Sequence, residues 1–274
     1  MKTQQYSLYT LPPHYQPEDN TLWELDPALY SRFKHGCEYS IAAFSDAIAE
    51  FVIKSCPADQ RIYIAPSAYQ HVPTAAGLLV GNLEERNLLP DVFQYVKLTR
   101  NKIITDDYAT LDSIERQRAM QDIRIDFDTE LLHNQTLLII DDSYVTGTHE
   151  NILKHHLTKT CATIIFVYLV DMKACEMPNI EMQMNNFEIK RLYHMYDIMN
   201  SPNFMINSRV LKMIFNSPIN EFIDFVTLLS PDQQSDIYNK AIMEGYMYLG
   251  SVFETKLKLL NNNQLHLDDL VSLG

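Results

Sequence analysis

The stretch TLLIIDDSYVTGTH, residues 136–149, determines how the remaining chain is interpreted. Its first five residues are leucine or β-branched without interruption, and the run is too short for a free-standing helix. This pattern is typical of a strand that is buried on both faces, as in a parallel sheet. Asp141 and Asp142 follow the run, then comes a hydroxyl-rich turn, and a helix is predicted from about residue 150 to residue 157.

The same stretch contains the groups that bind a sugar phosphate. Ligands of open α/β sheets bind beyond the carboxyl ends of the strands. The unpaired N–H groups at a helix start attract an anion, Gly147 lets the backbone approach it, and Thr146 and Thr148 offer hydroxyl donors. Adjacent carboxylates accept hydrogen bonds from a diol or hold Mg²⁺ through water. A diol and a phosphate together describe a ribose 5-phosphate.

The composition narrows the class of protein. With 274 residues, of which 46% are hydrophobic, the chain can form a large α/β core. Its net charge of −13 argues against a broad nucleic-acid surface. The seven glycines form neither GxGxxG nor GxxxxGK[ST], which excludes the common dinucleotide fingerprint and the P-loop. Four scattered cysteines and the lack of a long apolar segment lead us to expect a cytoplasmic protein without a membrane partner.

The order of strand, acids and turn resembles the phosphoribosyl-diphosphate (PRPP) signature of the type I phosphoribosyltransferases. The family pattern has four apolar residues, two acids, a short spacer and a Thr-Thr-Gly-x-Thr-like turn. The positions that match are Ile139, Ile140, Asp141, Asp142, Thr146 and Gly147. The sequence departs from the pattern at Val145, where Thr is usual, and at His149, where Ser or Thr is usual.

The resemblance implies roles for these residues. Asp141 and Asp142 are expected to hold the ribose hydroxyls, to be the catalytic pair and to bind Mg²⁺ through water. The 5′-phosphate is expected at the turn formed by Val145, Thr146, Gly147, Thr148 and His149. The alternative interpretation is a buried strand that ends in a solvated acidic turn.

Two further predicted strands supply the expected contacts to pyrophosphate. The resemblance assigns four residues to the pyrophosphate loop after a short buried strand at 61–65: Ser67, Ala68, Tyr69 and Gln70. The glycine that is usual in this loop is missing. A third strand, residues 92–99, is followed by Arg100 and Lys102, and basic residues at this point bind pyrophosphate in the family. An exposed strand end is the alternative for both cations.

Two more segments align with functional regions of the family, the hood and the acceptor site. Residues 103–128 lie where the family has a hood that closes over the active site, which would bring Arg116, Arg118 and Arg124 into the site. A plain surface helix explains this segment equally well. A fourth strand is predicted at 161–170, and the resemblance makes Asp171, at its end, a contact to the acceptor.

The N-terminal part is predicted to wrap the domain and then form helices. Residues 1–27 are rich in Pro and Tyr, so we expect an irregular segment, followed by helices at 28–34 and 37–55. The sequence LDPALYSRFKHG, residues 25–36, resembles the opening of ComF-like phosphoribosyltransferases from bacterial stress-response clusters of the tellurite-resistance type. For Arg32, Lys34 and His35, a solvated helix end is favoured over ligand contact. The resemblance to phosphoribosyltransferases covers about residues 26–175.

These observations predict a doubly wound, mainly parallel sheet with helices on both faces and a helical C-terminal addition. The expected division is an α/β domain at 1–200 and a helical region at 201–274, with one more strand near 187–193. The resemblance implies transfer of a phosphoribosyl group from PRPP to a small, nucleobase-like acceptor with Mg²⁺ as cofactor. A homodimer is compatible with it.

Two other classes of function stay open. A protein of the same fold could sense PRPP or a nucleotide without catalysis, which the changes at Val145 and His149 favour. An interaction protein could instead use its helical C-terminus to bind a partner.

Overall fold

The computed structural model describes residues 2–22, 24–56, 60–101 and 123–261, with no side-chain detail for residues 20–22. The predicted contact of Lys102 and most of the predicted hood, including Arg116 and Arg118, therefore lie outside the described residues. None of the described helices is long and apolar enough to cross a bilayer.

The centre of the molecule is a parallel five-stranded sheet with the order β1-β7-β6-β2-β3. Its strands are β1 (Lys2–Thr10), β2 (Ile62–Pro66), β3 (Phe93–Tyr95), β6 (Thr136–Tyr144) and β7 (Thr163–Asp171). A separate antiparallel pair consists of β4 (Thr99–Arg100) and β5 (Ile125–Asp126). The strand predicted from the apolar run at residue 136 is thus β6, and it lies in the middle of the sheet.

Ten α-helices are described, and those predicted at 28–34, 37–55 and about 150–157 have bounds within two residues of the prediction. They are α1 (Pro27–Lys34), α2 (Glu38–Ser55), α3 (Ala75–Glu85), α4 (Thr148–Leu157), α5 (Ile180–Asn185), α6 (Leu192–Met199), α7 (Ser208–Asn216), α8 (Ile219–Leu228), α9 (Pro231–Glu244) and α10 (Ser251–Asn261). Several begin at a side-chain cap, as α1 does at Asp26, whose carboxylate accepts from the Ala28 amide at 2.8 Å. Short 3₁₀ turns occur at Pro17–Leu22 and Tyr246–Tyr248.

Helices cover both faces of the sheet. Alternate residues of β6 point to opposite sides, so Leu138 and Ile140 pack into the core under α2 and α3. Leu137 and Ile139 pack into a second core on the other face. Each fully buried side chain of this type contributes about 1.5–3 kcal/mol through removal from water. This two-sided burial confirms the predicted doubly wound, mainly parallel sheet with a helical C-terminal region.

A third core joins the C-terminal helices α6 to α10. Its centre is aromatic: the Phe215 ring lies 4.7 Å from the Tyr246 ring and 6.0 Å from the Phe222 ring. Val72, from the loop after β2, belongs to the same cluster, so these helices pack against the sheet's own loops. The division of the chain at residue 200 stays a prediction.

Three predicted segments have a different structure. The N-terminal residues form the edge strand β1, paired with β7 in parallel, whereas an irregular wrap was expected. The strand expected at 92–99 splits into β3 and β4, because the chain leaves the sheet after Tyr95 and pairs again at Thr99 with Asp126. The strand expected near 187–193 is wrong: a helix, Leu192–Met199, begins there instead.

Candidate functional site

The two acids lie near the carboxyl end of the central strand. β6 continues past them to Tyr144, and Asp141 is in register with Tyr168 of β7. The strand continues because residues after the acids still pair with β7. Asp141 Oδ1 accepts a hydrogen bond from the Asp142 amide at 2.9 Å, so the backbone fixes one carboxylate relative to the other.

Asp142 forms a buried ion pair with Lys34, one of the three residues for which a solvated helix end was favoured. Lys34 Nζ lies 2.7 Å from Asp142 Oδ2, and the two side chains are 7% and 14% exposed. The Ser143 hydroxyl donates to the other oxygen at 3.0 Å. The expectation that Lys34 belongs to a solvated helix end is therefore wrong. The last turn of α1 points its lysine into the site because the helix packs against the sheet along its other residues.

Asp141 is held in the same way by a histidine. His149 Nδ1 lies 2.9 Å from Asp141 Oδ2. Burial alone would raise the pKa of Asp141, but the hydrogen bond and charge of His149 act against it, as do the Ser67 hydroxyl and the Asp142 amide. The net effect is a pKa below the ordinary value of 3.8, so this carboxylate stays ionised.

The turn after β6 has a left-handed residue immediately before α4. Gly147 has φ +73° and is the residue before α4, so its backbone is left-handed. A Cβ at this position would lie 2.9 Å from the Tyr144 hydroxyl. Thr146 Oγ1 and Thr148 Oγ1 are 2.9 Å apart and share a hydrogen bond. Glycine thus lets the Tyr144 ring pack against the turn in which the two hydroxyls and the first amides of a helix come together.

The buried carboxylate of Glu150 connects the first turn of α4 to β7. Glu150 accepts a hydrogen bond from the Tyr168 hydroxyl at 2.8 Å and pairs with Lys154 one turn later. Burial, followed by the charge of Asp141 and the contact with Glu150, raises the pKa of Tyr168, which therefore stays a hydrogen-bond donor. Tyr168 also packs against Tyr144, with ring centres 5.0 Å apart. This network fixes the turn relative to β7.

These groups line one solvent-open cavity, and the first residues of three helices contribute to it. The helices are α3, with Ala75, α4, with Thr148, and α7, with Ser208. Among the described residues, four lysines and arginines line it, namely Lys34, Arg100, Arg209 and Lys212. Four described acids line it as well, namely Asp141, Asp142, Glu150 and Glu181. The whole chain has 22 basic and 35 acidic residues, so the ratio of basic to acidic residues is higher in this lining than in the chain as a whole.

The predicted site residues divide into two groups. The cavity is lined by both acids, by the whole turn from Val145 to His149, and by Ser67, Ala68 and Arg100. Tyr69 and Gln70 do not line it. Lys97 Nζ lies 4.5 Å from the centre of the Tyr69 ring. It also donates a hydrogen bond to the Gln70 backbone carbonyl at 3.0 Å.

The predicted acceptor contact at the end of β7 also lies elsewhere. Asp171 accepts a hydrogen bond from the Lys173 amide at 2.9 Å and does not line the cavity. Its carboxylate therefore stabilises the turn that follows the strand.

Several lining residues come from segments that carried no motif. They are Lys34, Thr74, Glu181, Ser208, Arg209 and Lys212. Only the cluster of Lys34 with its basic neighbours Arg32 and His35 gave a signal in the sequence. The residues of α5 and α7 lie at the site because of tertiary packing. A local sequence pattern does not predict such packing.

The mainly parallel α/β sheet, with an acid pair and a glycine turn at the end of its central strand, is the arrangement that the resemblance to type I phosphoribosyltransferases predicts. The sequence matches the family described as PRTase ComF-like, PRTase standing for phosphoribosyltransferase, over residues 3–260. The chain belongs to this family. The predicted resemblance is thereby confirmed, and the match extends well beyond the 26–175 segment, through the C-terminal helices.

Comparison with solved structures finds nucleobase phosphoribosyltransferases at low similarity. A hypoxanthine phosphoribosyltransferase from Staphylococcus aureus is 14% identical, with a TM-score of 0.33; the match covers 48% of this chain and 62% of that one. This chain therefore spans less than two thirds of that protein's length. A hypoxanthine-guanine phosphoribosyltransferase from Bacillus anthracis is 11% identical, with coverage of 50% and 70% and a TM-score of 0.32. No curated protein sequence matches the chain.

Proposed function

We propose that this protein transfers a phosphoribosyl group from PRPP to a nucleobase-like acceptor and releases pyrophosphate. The observation that carries the proposal is the convergence at one cavity of the Asp141–Asp142 pair and the Gly147 turn. The first offers acceptors for a diol, and the second offers donors for a phosphate monoester. The spacing between them is set by a single strand and the turn that follows it.

Each group has a defined task in this reaction. The turn of residues 145–149 holds the 5′-phosphate, and the acids orient the ribose hydroxyls. Ser67, Ala68 and Arg100, which line the same cavity, face the diphosphate. As the bond from C1 of ribose to the diphosphate oxygen breaks, the acceptor forms its bond to C1 and loses a proton. Arg100 stabilises the charge that develops on the leaving diphosphate, while the fixed sugar reduces the entropic barrier.

The carboxylates fit a Mg²⁺ ion held through water better than one held directly. All four of their oxygens already have a partner: the Asp142 amide, His149, Ser143 and Lys34. No cluster of three metal-binding side chains occurs among the described residues. Asp141 and Asp142 would hold such an ion through its water, and the ion would supply positive charge that offsets the charge of the diphosphate.

The same saturation of the carboxylates favours a second candidate function. A protein that senses PRPP or a nucleotide and reports it to a partner needs a resting state that binding of the ligand changes. Lys34 pairs with Asp142 and His149 pairs with Asp141 when no ligand is bound. These contacts suit a sensor whose acids are paired within the protein until a ligand binds.

Two measurements test the proposal. Calorimetry with PRPP and Mg²⁺ is expected to show binding to the wild type and none to the Asp141→Asn/Asp142→Asn variant, whose fold is checked by circular dichroism. Equal binding by both proteins would exclude the assigned site. Pyrophosphate release from PRPP with a panel of nucleobases then distinguishes the enzyme from the sensor, because the sensor binds PRPP without releasing pyrophosphate.

A further inference from the structure

Lys34 brings a positive charge to the acid pair from outside the part of the chain that carries the PRPP signature. It is the last residue of α1, and its Nζ lies 2.7 Å from Asp142 Oδ2. Both side chains are largely buried, and both residues line the cavity. The acid pair therefore has a cation of the protein itself as a direct neighbour.

The position of this lysine is fixed by contacts between α1 and distant parts of the chain. The Lys34 carbonyl accepts from the side-chain amide of Asn207, a fully buried residue, at 3.1 Å. Three residues earlier, the buried Ser31 hydroxyl donates to the Asn185 carbonyl at 2.8 Å. The ammonium also lies 5.8 Å from the centre of the Tyr30 ring. The helix cannot withdraw its last residue from the acid pair without breaking these contacts.

The ion pair affects what Asp142 can bind. Mg²⁺ in proteins is usually bound by one or two carboxylates together with the phosphates of a substrate. A divalent ion that binds Asp142 Oδ2 directly would have to approach the ammonium that already lies 2.7 Å from this oxygen. Because both side chains are largely buried, little solvent screens the repulsion between the two cations.

A sugar hydroxyl meets no such obstacle. It is neutral, so the ammonium does not repel it. A carboxylate has about four lone-pair sites, so Asp142 can accept from a hydroxyl in addition to its contacts with Lys34 and Ser143. The same ion pair that repels a divalent ion therefore leaves the carboxylate able to bind a diol.

We propose that Lys34 determines the specificity of the acid pair: its ammonium takes the place of a cation beside Asp142, so the pair excludes free divalent metal and binds sugar hydroxyls. This inference rests on the proposed ribose site and adds the residue that gives the site its preference. A Mg²⁺ ion held through water then needs the diphosphate of the ligand to keep it in the cavity.

Binding of Mn²⁺ to the full chain without PRPP tests this inference. Mn²⁺ suits the same oxygen ligands as Mg²⁺, and electron paramagnetic resonance counts the bound ions. At about 1 mM Mn²⁺, the wild type is expected to bind no more of the ion than Asp142→Asn does. Lys34→Gln should bind Mn²⁺ at least about tenfold more tightly than the wild type, because the buried carboxylate has lost its counter-charge.

Two further variants show whether charge is the cause. Adding Asp142→Asn to Lys34→Gln should abolish the gain in Mn²⁺ affinity, and Lys34→Arg, which keeps the positive charge, should bind as little Mn²⁺ as the wild type. Lys54→Gln is the matched control, because Lys54 forms an exposed pair with Glu50 and should not influence the acid pair. Circular dichroism checks the fold of each variant.

Three results would contradict parts of this account. Mn²⁺ binding by the wild type that Asp142→Asn removes would overturn the role of Lys34, and this comparison needs no lysine variant that folds. A folded Lys34→Gln without any gain would overturn it too, because another feature would then exclude the metal. Failure of the wild type to bind ribose 5-phosphate would instead refute the proposed ribose site, which the Mn²⁺ measurement does not test.

Discussion

Lys34 and Asp142 form an ion pair between the last residue of α1 and the acid pair of the central strand, with Nζ and Oδ2 2.7 Å apart. Both side chains are almost entirely buried, so the pair is shielded from solvent screening. A buried pair of this kind is weak evidence for stability in itself, but removal of one partner leaves an uncompensated charge. The pair therefore links the integrity of the fold to the geometry of the site.

Lys34→Met is expected to reduce the free energy of unfolding by about 3 kcal/mol, because Asp142 would remain buried without its counter-charge. Urea unfolding measures this loss. Adding Asp142→Asn should recover part of it, since the orphan charge is then removed. Lys54→Met, in an exposed pair with Glu50, is the control and should show no measurable change. Equal effects of the two lysine substitutions would contradict a buried role for Lys34.

Gly147→Ala is expected to destabilise the protein by about 1 to 2 kcal/mol, because alanine disfavours the left-handed backbone. The new methyl group would also meet the Tyr144 hydroxyl, so Tyr144 or the turn, both of which line the cavity, would have to shift. Binding of ribose 5-phosphate should weaken in parallel. Gly81→Ala is the control: this glycine lies within α3 with open space around it, so alanine should stabilise by about 0.5 to 1 kcal/mol. The idea fails if both variants shift stability in the same direction.

Glu244→Ala is expected to lower the free energy of unfolding by about 2 to 4 kcal/mol. The Glu244 side chain is 2% exposed, and its Oε2 accepts from the amides of His71 at 3.1 Å and Val72 at 2.8 Å. Its removal would leave two amides of the loop after β2 without an acceptor. Pyrophosphate binding should weaken too, because this loop begins with Ser67. Glu254 forms an exposed ion pair with Lys258, so Glu254→Ala is the control. It should change neither the free energy of unfolding nor the affinity for pyrophosphate.

Arg100→Ala is expected to weaken pyrophosphate binding at least tenfold while ribose 5-phosphate binding changes little. The reason is that Arg100 lines the cavity on the side of β4, away from the phosphate turn that follows β6. Competition calorimetry with each ligand measures the two effects. Arg86→Ala, which removes a pair with Asp46 on the helical face, is the control. Similar losses for both ligands in Arg100→Ala would mean a general electrostatic role.

His149→Gln is expected to lower the stability near neutral pH and to make it depend less on acid. In the wild type, the stabilisation from ionised Asp141 is complete above its ordinary pKa of 3.8 and is lost as pH falls through the lower pKa of the folded state. Without the histidine, the pKa of folded Asp141 rises towards its ordinary value, so less stabilisation is present near neutral pH and less is lost as the pH falls. Urea unfolding between about pH 3 and about pH 6 would reveal the difference. His133→Gln, at an exposed position, should follow the wild-type curve, and a shared shift would argue against the Asp141 contact.

The sequence predicts the centre of this fold well because the signal there is local. A continuous apolar run such as 136–140 has few alternatives to a strand buried on both faces, and the acids and glycine that follow it occupy fixed positions along one chain segment. The ribose and phosphate elements of the candidate site could therefore be proposed before any coordinates.

The remaining features were missed because they depend on partners far along the chain. β1 contains four polar residues in its first half and is a strand because its backbone pairs with β7. Lys34 resembles any lysine at the end of a helix until Asp142 is brought next to it. Arg209 and Lys212 sit on a helix with an ordinary amphipathic pattern, and only the position of α7 turns them towards the cavity.

The position of β1 at the edge of the sheet has a consequence for the order of folding. Lys2 pairs with Thr163, so β1 is synthesised long before its hydrogen-bond partner β7. Until β7 emerges, β1 has no neighbour in the sheet, and closing so long a loop slows folding. We expect the sheet to be completed only after most of the segment between β1 and β7 has been synthesised.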